Sequence, residues 1–192
     1  MKKAIIGYGG HAREVLAQMG KKLPCFVDDD YVCEKTLPLS SLDIKKYKVM
    51  VAIADPVGRA NVIKKLPKET KFFSFIHPTA LILDKNIKIG KGSFIGAFSI
   101  LTTNIKIGSH TILNRSNHIG HDTTIGDYFS AMPGSVVSGN CIIGNCFYLG
   151  TNSSIKEKIN ITNNVTIGLN SGVVKNITES GIYVGTPTKK IK

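Results

Sequence analysis

The chain has 192 residues, 42% of them hydrophobic, with 25 basic and 13 acidic side chains and a formal charge of +12. That length buries a core as one or two domains without staples, and the four cysteines form no C-x-x-C pair, which argues against a disulfide or zinc framework and suits a reducing cytoplasmic compartment. No run approaches the ~18 apolar residues of a membrane span or a secretory leader, and the charge divides evenly, 14 basic against 8 acidic in residues 1–76 and 11 against 5 in residues 77–192, rather than gathering on one nucleic-acid-binding arm.

In chain order, residues 2–7 read as a buried strand that runs into Gly7-Tyr8-Gly9-Gly10-His11-Ala12 and then a helix from about His11 to Met19. Gly7, Gly9 and Ala12 match G-x-G-x-x-[GA], in which glycines let backbone amides approach a phosphate at a helix N-terminus. A second strand, Pro24–Val27, ends in Asp28-Asp29-Asp30, where the dinucleotide fingerprint places a ribose-binding acid. Further strands are expected over Tyr47–Ala54 and Lys71–Ile76, with a helix over Val57–Leu66 between them. A complete dinucleotide site needs two βαβαβ halves. The segment before residue 77 holds one, so residues 1–76 are expected to form an α/β half-Rossmann domain sized for one nucleotide. Ala54, Asp55 and Arg59, at the carboxyl end of a strand, are candidate contacts, although Asp55 is equally placed to cap the following helix.

From Leu83 the chain repeats. Every sixth residue, Leu83, Ile89, Ile95, Leu101 and onward to Val173, is aliphatic at sixteen successive positions, against a chance of roughly one in a million. A glycine often follows, and a small or apolar residue comes four places after the aliphatic, with Asn117 as the polar exception. A period of six is neither the 3.6 of an α-helix nor the 2 of a simple strand. It describes short strands joined by turns, three to a coil, with coils stacked about 4.8 Å apart. The aliphatics, with Phe129, Cys141 and Phe147, fill the interior, and the glycines are expected at corners of unusual φ/ψ. Residues 77–192 are thus an all-β parallel β-helix with a short C-terminal tail.

A half-Rossmann module opening with G-Y-G-G-H-A-R-E-V, an A-I-A-D strand end, the connector Ile76-His77-Pro78-Thr79-Ala80, hexapeptide coils and a closing Gly185-Thr186-Pro187-Thr188-Lys189-Lys190 together resemble the NeuD/PglD family of sugar acetyltransferases. The resemblance spans essentially the whole chain, with Thr188 where the family has Ala. It implies a left-handed coil, a homotrimer with active sites at subunit interfaces, acetyl-CoA as co-substrate without a metal, and a nucleotide sugar or sialic acid derivative as acceptor. By the same resemblance His121 is the catalytic base and Asp122 its acidic neighbour, standing where the family often has Glu. Ser130, Thr151, Gly168 and Leu169 would meet acetyl-CoA, with Ser130 replacing a relative's His. Gly9, Gly10, His11, Asp28, Asp29 and Ala54 would meet the nucleotide sugar.

An amine undergoing acylation must lose a proton as it attacks the thioester, which calls for a base titrating near neutrality. A carboxylate can orient that imidazole, and a backbone amide, with Gly139 the candidate, can steady the oxyanion. His118 is the nearest competitor to His121 but has no adjacent acid; His110 is expected at the surface and His77 in a structural role. Three functions remain open: N-acetylation of a nucleotide-linked deoxy amino sugar of the UDP-4-amino-sugar type, O-acetylation of sialic acid or another sugar, and non-catalytic sugar-nucleotide binding.

Overall fold

The computed structural model describes every residue from Met1 to Lys192. Four parallel strands open it: β1 (Lys2–Ile6), β2 (Cys25–Val27), β3 (Leu37–Pro38) and β4 (Tyr47–Val51), in spatial order β3-β2-β1-β4. The short β3, with no period-2 run to announce it, was not anticipated. Helix α1 (Gly10–Met19) follows β1, and α2 (Pro56–Lys65) follows β4. Asp55 takes the capping role, accepting the Gly58 N–H at 2.6 Å with Pro56 in the first helical turn, the N-terminal arrangement that residues of these types favour.

The segment expected as one strand over 71–76 divides between two structures. Phe72 bridges to Val49 of the opening sheet, whereas β5 (Phe75–Ile76) pairs with Phe94–Ile95 as the first strand of the prism. From there the chain winds into three parallel sheets of eight, six and five strands, consistent with the left-handed coil expected. The first face starts at β5 and includes Phe94–Ile95, Ile112–Leu113, Ser130–Ala131 and Tyr148–Leu149. The second includes Leu81–Ile82, Ile100–Leu101, His118–Ile119 and Val136–Val137. The third includes Lys88–Ile89, Lys106–Ile107, Thr124–Ile125 and Ile142–Ile143. A C-terminal hairpin, Gly181–Val184 against Lys189–Lys190, closes the first face with the one antiparallel pair; it lies beyond the repeat and leaves no periodic signature.

Two local readings of the repeat need correction. Ile82, not Leu83, is in register with Leu101, and Leu83 is 62% exposed. The first coil carries one extra residue before Ile89, so the aliphatic at 83 fits the period without facing inward. The glycines after the aliphatics are not the residues in the left-handed region. That conformation falls two places later, at Asn104, His110, Asp122, Tyr128 and their counterparts, with φ of 50–61° at these four. The glycines answer to crowding instead: a Cβ on Gly90 would lie 2.4 Å from the Ser109 backbone nitrogen, and one on Gly108 2.5 Å from the Gly126 carbonyl carbon. Coils stacked at hydrogen-bonding distance leave no room there for a side chain.

Inside, the fourteen aliphatics from Ile95 to Val173 form one core with Phe129, Cys141 and Phe147, as expected. The small polar residues of the repeat satisfy corner carbonyls that the short strands leave free: Ser99 donates to Asn114 O at 2.9 Å, and Asn117 to Met132 O at 2.7 Å. Helix α1 joins the two parts by burying Ala12, Val15 and Met19 in a cluster with Phe94 and Ile112 of the first face.

The junction also corrects the assignment of Arg59. Its guanidinium is fully buried and makes no ligand-facing edge. It donates to the carbonyls of His110 (2.9 Å), Ile53, Ala54 (3.2 Å), Tyr128 (2.9 Å) and Phe129 (3.0 Å) and to Ser130 Oγ (2.8 Å). Desolvation pulls its pKa down to about 10, which still leaves it charged at neutral pH. His110, expected at the surface, is buried beside it between Phe72 and Tyr128. Its imidazole is neutral because burial first, and the Arg59 and Lys91 charges second, depress its pKa to about 4.

Candidate active site

His121 and Asp122 sit at the corner between the second and third faces, in the turn from His118–Ile119 to Thr124–Ile125. The third place of a hexad points away from the core, and both side chains are about half exposed. Asp122 occupies the left-handed turn position, with φ of 57°. Its Oδ2 lies 2.7 Å from His121 Nδ1, and its Oδ1 accepts from Asn104 Nδ2 at 2.6 Å. The Asn104 amide first, and His121 second, hold the Asp122 carboxyl below the usual range. An ionised Asp122 can only accept, so Nδ1 of His121 carries hydrogen and Nε2 presents its lone pair outward.

Asn104 escaped the sequence reading. Its signal lay in the stacking: it stands eighteen residues, one full coil, before Asp122 at the same corner.

Gly139 stands in the next coil directly under the imidazole. A Cβ there would lie 2.6 Å from Nε2 and 2.7 Å from Cε1 of His121. The Gly139 N–H has no acceptor among the backbone or side-chain hydrogen bonds, whereas the equivalent amides of Ser109, Asp127 and Asn145 at the neighbouring corner each donate to a side chain one coil on. The imidazole and the Gly139 backbone therefore adjoin at one corner. His118 lies apart, on the flat of the second face.

The other acyl-donor candidates fall in two places. Thr151, Gly168 and the 71% exposed Leu169 lie at the corner between the first and second faces. Ser130 is closed to any ligand: it is fully buried, donating to Ala54 O at 2.7 Å and accepting from Arg59. Its place at the domain junction, invisible from the repeat, explains the departure from the expected contact.

On the opening sheet, a cavity of about 350 Å³ lies at the carboxyl ends of β1, β2 and β4, lined by Gly7, Tyr8, Gly9, Asp28, Tyr31 and apolar side chains including Ile6, Val27 and Ile53. Gly7 needs its φ of 111° to turn the chain there. Gly9 and Gly10 meet no packing demand, since a Cβ on either would have nothing within 4 Å. The first helical bond of α1 is Arg13 N–H to Gly9 O, so the amides of Gly10, His11 and Ala12 precede the ladder, and that of the exposed Gly10 is open to an anion.

Asp28 lines the cavity with Lys65 3.8 Å away. The remaining three expected substrate contacts are committed elsewhere. Asp29 Oδ1 accepts the Ser40 N–H at 3.1 Å, and the Ala54 carbonyl is held by Arg59 and Ser130. The His11 ring turns to Phe94 of the prism, buried, with neither nitrogen hydrogen-bonded; burial lowers its pKa, against the opposing effect of Glu14.

No protein-family model matches the chain. Several solved structures do. WeeI from Acinetobacter baumannii AYE superposes with a TM-score of 0.87 at 27% identity, covering all of both chains. PerB from Caulobacter crescentus, solved in complex with CoA and GDP-perosamine, gives 0.88 at 24% identity over 100% of this chain and 98% of that one. The acetyltransferase domain of PglB from Neisseria gonorrhoeae FA1090 gives 0.86 at 23% identity over 99% of each. The architecture, an opening parallel sheet followed by a parallel β-helix, is shared with these solved structures over the whole chain. The likeness extends through both parts of the chain.

Proposed function

We propose that this protein is an acetyl-CoA-dependent N-acetyltransferase acting on the amino group of a nucleotide-linked deoxy amino sugar of the UDP-4-amino-sugar type, in bacterial glycan biosynthesis. The observation that carries the reading is the corner itself: an exposed imidazole oriented by a carboxylate at 2.7 Å, with its free nitrogen over the side-chain-free Gly139. Nε2 of His121 takes a proton from the sugar amine as its nitrogen bonds to the thioester carbonyl carbon. Asp122 holds the ring and stabilises its charged form. The Gly139 N–H receives the oxyanion, and collapse breaks the C–S bond, with the imidazolium returning its proton to the CoA thiolate. No covalent enzyme intermediate is needed.

In this reading residues 1–76 are a Rossmann-like nucleotide-sugar unit and residues 77–192 the transferase unit, with β5, the last strand before residue 77, already pairing in the prism. The amides after Gly9 hold the diphosphate and Asp28 the ribose. That preformed cavity favours a nucleotide-linked acceptor over free sialic acid.

The site spans two subunits. The nucleotide unit packs on the first face of its own prism, whereas His121 stands at the opposite corner, between the other two faces. Apolar Val136 and Ile142 are exposed on the faces that meet at that corner, the kind of patch that marks a protein contact. A homotrimer would bring the neighbour's nucleotide cavity, and its Thr151, Gly168 and Leu169 corner for acetyl-CoA, to His121. The cytoplasm supplies both nucleotide sugars and acetyl-CoA; no helix is long and apolar enough to cross a membrane.

Thiol release from acetyl-CoA with UDP-, dTDP- and GDP-linked amino sugars, alongside free sialic acid, tests the reading. Turnover with an amino-sugar nucleotide is expected, and silence across the panel rejects the enzyme assignment. Two substitutions probe its parts. Gly139→Ala places a methyl where the imidazole lies, and a displacement of about 1 Å at a reacting group costs on the order of a hundredfold; kcat should fall accordingly with the melting temperature unchanged, and unaltered kcat counts against the corner. Gly9→Ala, meeting open space, should leave stability unchanged and raise KM for the nucleotide sugar about tenfold, equivalent to about 1.4 kcal/mol, with KM for acetyl-CoA constant.

A further inference from the structure

A second cleft, of about 350 Å³, lies where the C-terminal end of α2 meets the corner between the third and first faces, apart from both the nucleotide cavity and the His121 corner. Lys64, Lys68, Lys91, Ser109, His110 and Asp127 line it. None of the three lysines has a carboxylate within ion-pair distance. Asp127 is the one lining acid, and its Oδ1 is engaged by the Ser109 N–H at 2.6 Å. Arg59, buried beneath the floor through its bonds to the His110 and Tyr128 carbonyls, adds a positive charge that no carboxylate contacts. The surplus is therefore local, although the overall charge of the chain is diffuse.

His110 gives the cleft a directed group. The residue is 4% exposed, and its Nδ1 is sealed against Gly92, where a Cβ would come within 2.3 Å. With Nδ1 facing carbon, the neutral ring carries its hydrogen on Nε2, the one nitrogen that is not sealed. Stacking on Tyr128 at 5.6 Å and an edge contact with Phe72 at 4.6 Å fix the ring plane. A neutral N–H donor among three unpaired ammonium groups suits a compact, multiply charged oxyanion, for which lysines act as point charges.

We propose that this cleft binds a phosphate-bearing anion between Lys64 and Lys68 on one side and Lys91 and the Nε2–H of His110 on the other, clamping α2 against the prism. The anion is either a free inorganic phosphate or the phosphomonoester of a larger ligand such as coenzyme A. Because α2 also carries Arg59 and follows the Ala54 edge of the nucleotide unit, occupancy stabilises the junction on which that unit sits. The inference stands independently of the acetyltransferase assignment.

Thermal melts of the full chain with pyrophosphate, against sodium chloride at matched ionic strength, provide the test. Binding at tenfold over Kd should raise the melting temperature by about 3–6 °C and shift the His110 imidazole NMR resonances. The double variant Lys64→Gln/Lys91→Gln should melt normally in chloride but lose most of the pyrophosphate shift, whereas Lys88→Gln/Lys106→Gln, on the third face, should retain it. An equal shift in chloride, or pyrophosphate-induced changes in the His110 resonances that survive Lys64→Gln/Lys91→Gln, overturns the proposal; pyrophosphate in the cavity after β1 moves the melting temperature without moving those resonances. Competition by coenzyme A and not by dephospho-coenzyme A assigns the occupant as the coenzyme's phosphomonoester; competition by neither assigns it as free phosphate.

Discussion

His121→Ala is expected to lower kcat by about 10²- to 10⁴-fold, the usual contribution of a positioned general base, while the protein melts as the wild type does. The stability half of this expectation follows from the exposure of the ring, whose removal opens no cavity. The catalytic half follows from its position. The Asp122 carboxylate fixes Nδ1 as a donor, and the free Nε2 lies over Gly139, where no side chain blocks it. His118→Ala is the matched control: it removes an exposed imidazole from the neighbouring flat face and should leave kcat within a few-fold. Steady-state rates for the two variants, measured with the acceptor that turns over, decide between the histidines. Near-wild-type kcat in His121→Ala means that another group accepts the proton.

The largest stability effect is expected from Arg59. Arg59→Met keeps much of the volume but strands the carbonyls of Ile53, His110 and Tyr128 in a buried junction and removes a second donor from those of Ala54 and Phe129. Removing one side of a buried charged network costs about 3–5 kcal/mol, which for a chain of this size lowers the melting temperature by on the order of 10 °C. Arg59→Lys should recover little of it, because a single ammonium cannot reach acceptors on three sides of a planar guanidinium. Since the bonds run from α2 to the prism, the loss should also raise KM for the nucleotide sugar more than for acetyl-CoA. A melting temperature within 2 °C of wild type would show that the junction relaxes around the missing group.

The sequence by itself determined the prism, its three-strand coil and the outward placement of His121 and Asp122, because a rigid six-residue period assigns every residue to the interior, a corner or a flat face. It also determined the glycine turn after β1, since glycines at 7, 9 and 10 and a helix immediately behind them are a local feature. Contacts between parts distant along the chain are another matter, and these the tertiary structure alone decided. Arg59 looked like a ligand contact and Ser130 like a coenzyme contact; each is consumed by the other across a separation of 71 residues. His110 looked exposed and is walled in by Phe72 and Tyr128. Leu83 kept the period and missed the core, because one inserted residue in the first coil reverses a side chain without disturbing the count. Periodicity records how a residue faces its own coil. It carries no information on what another unit of the chain lays over that face.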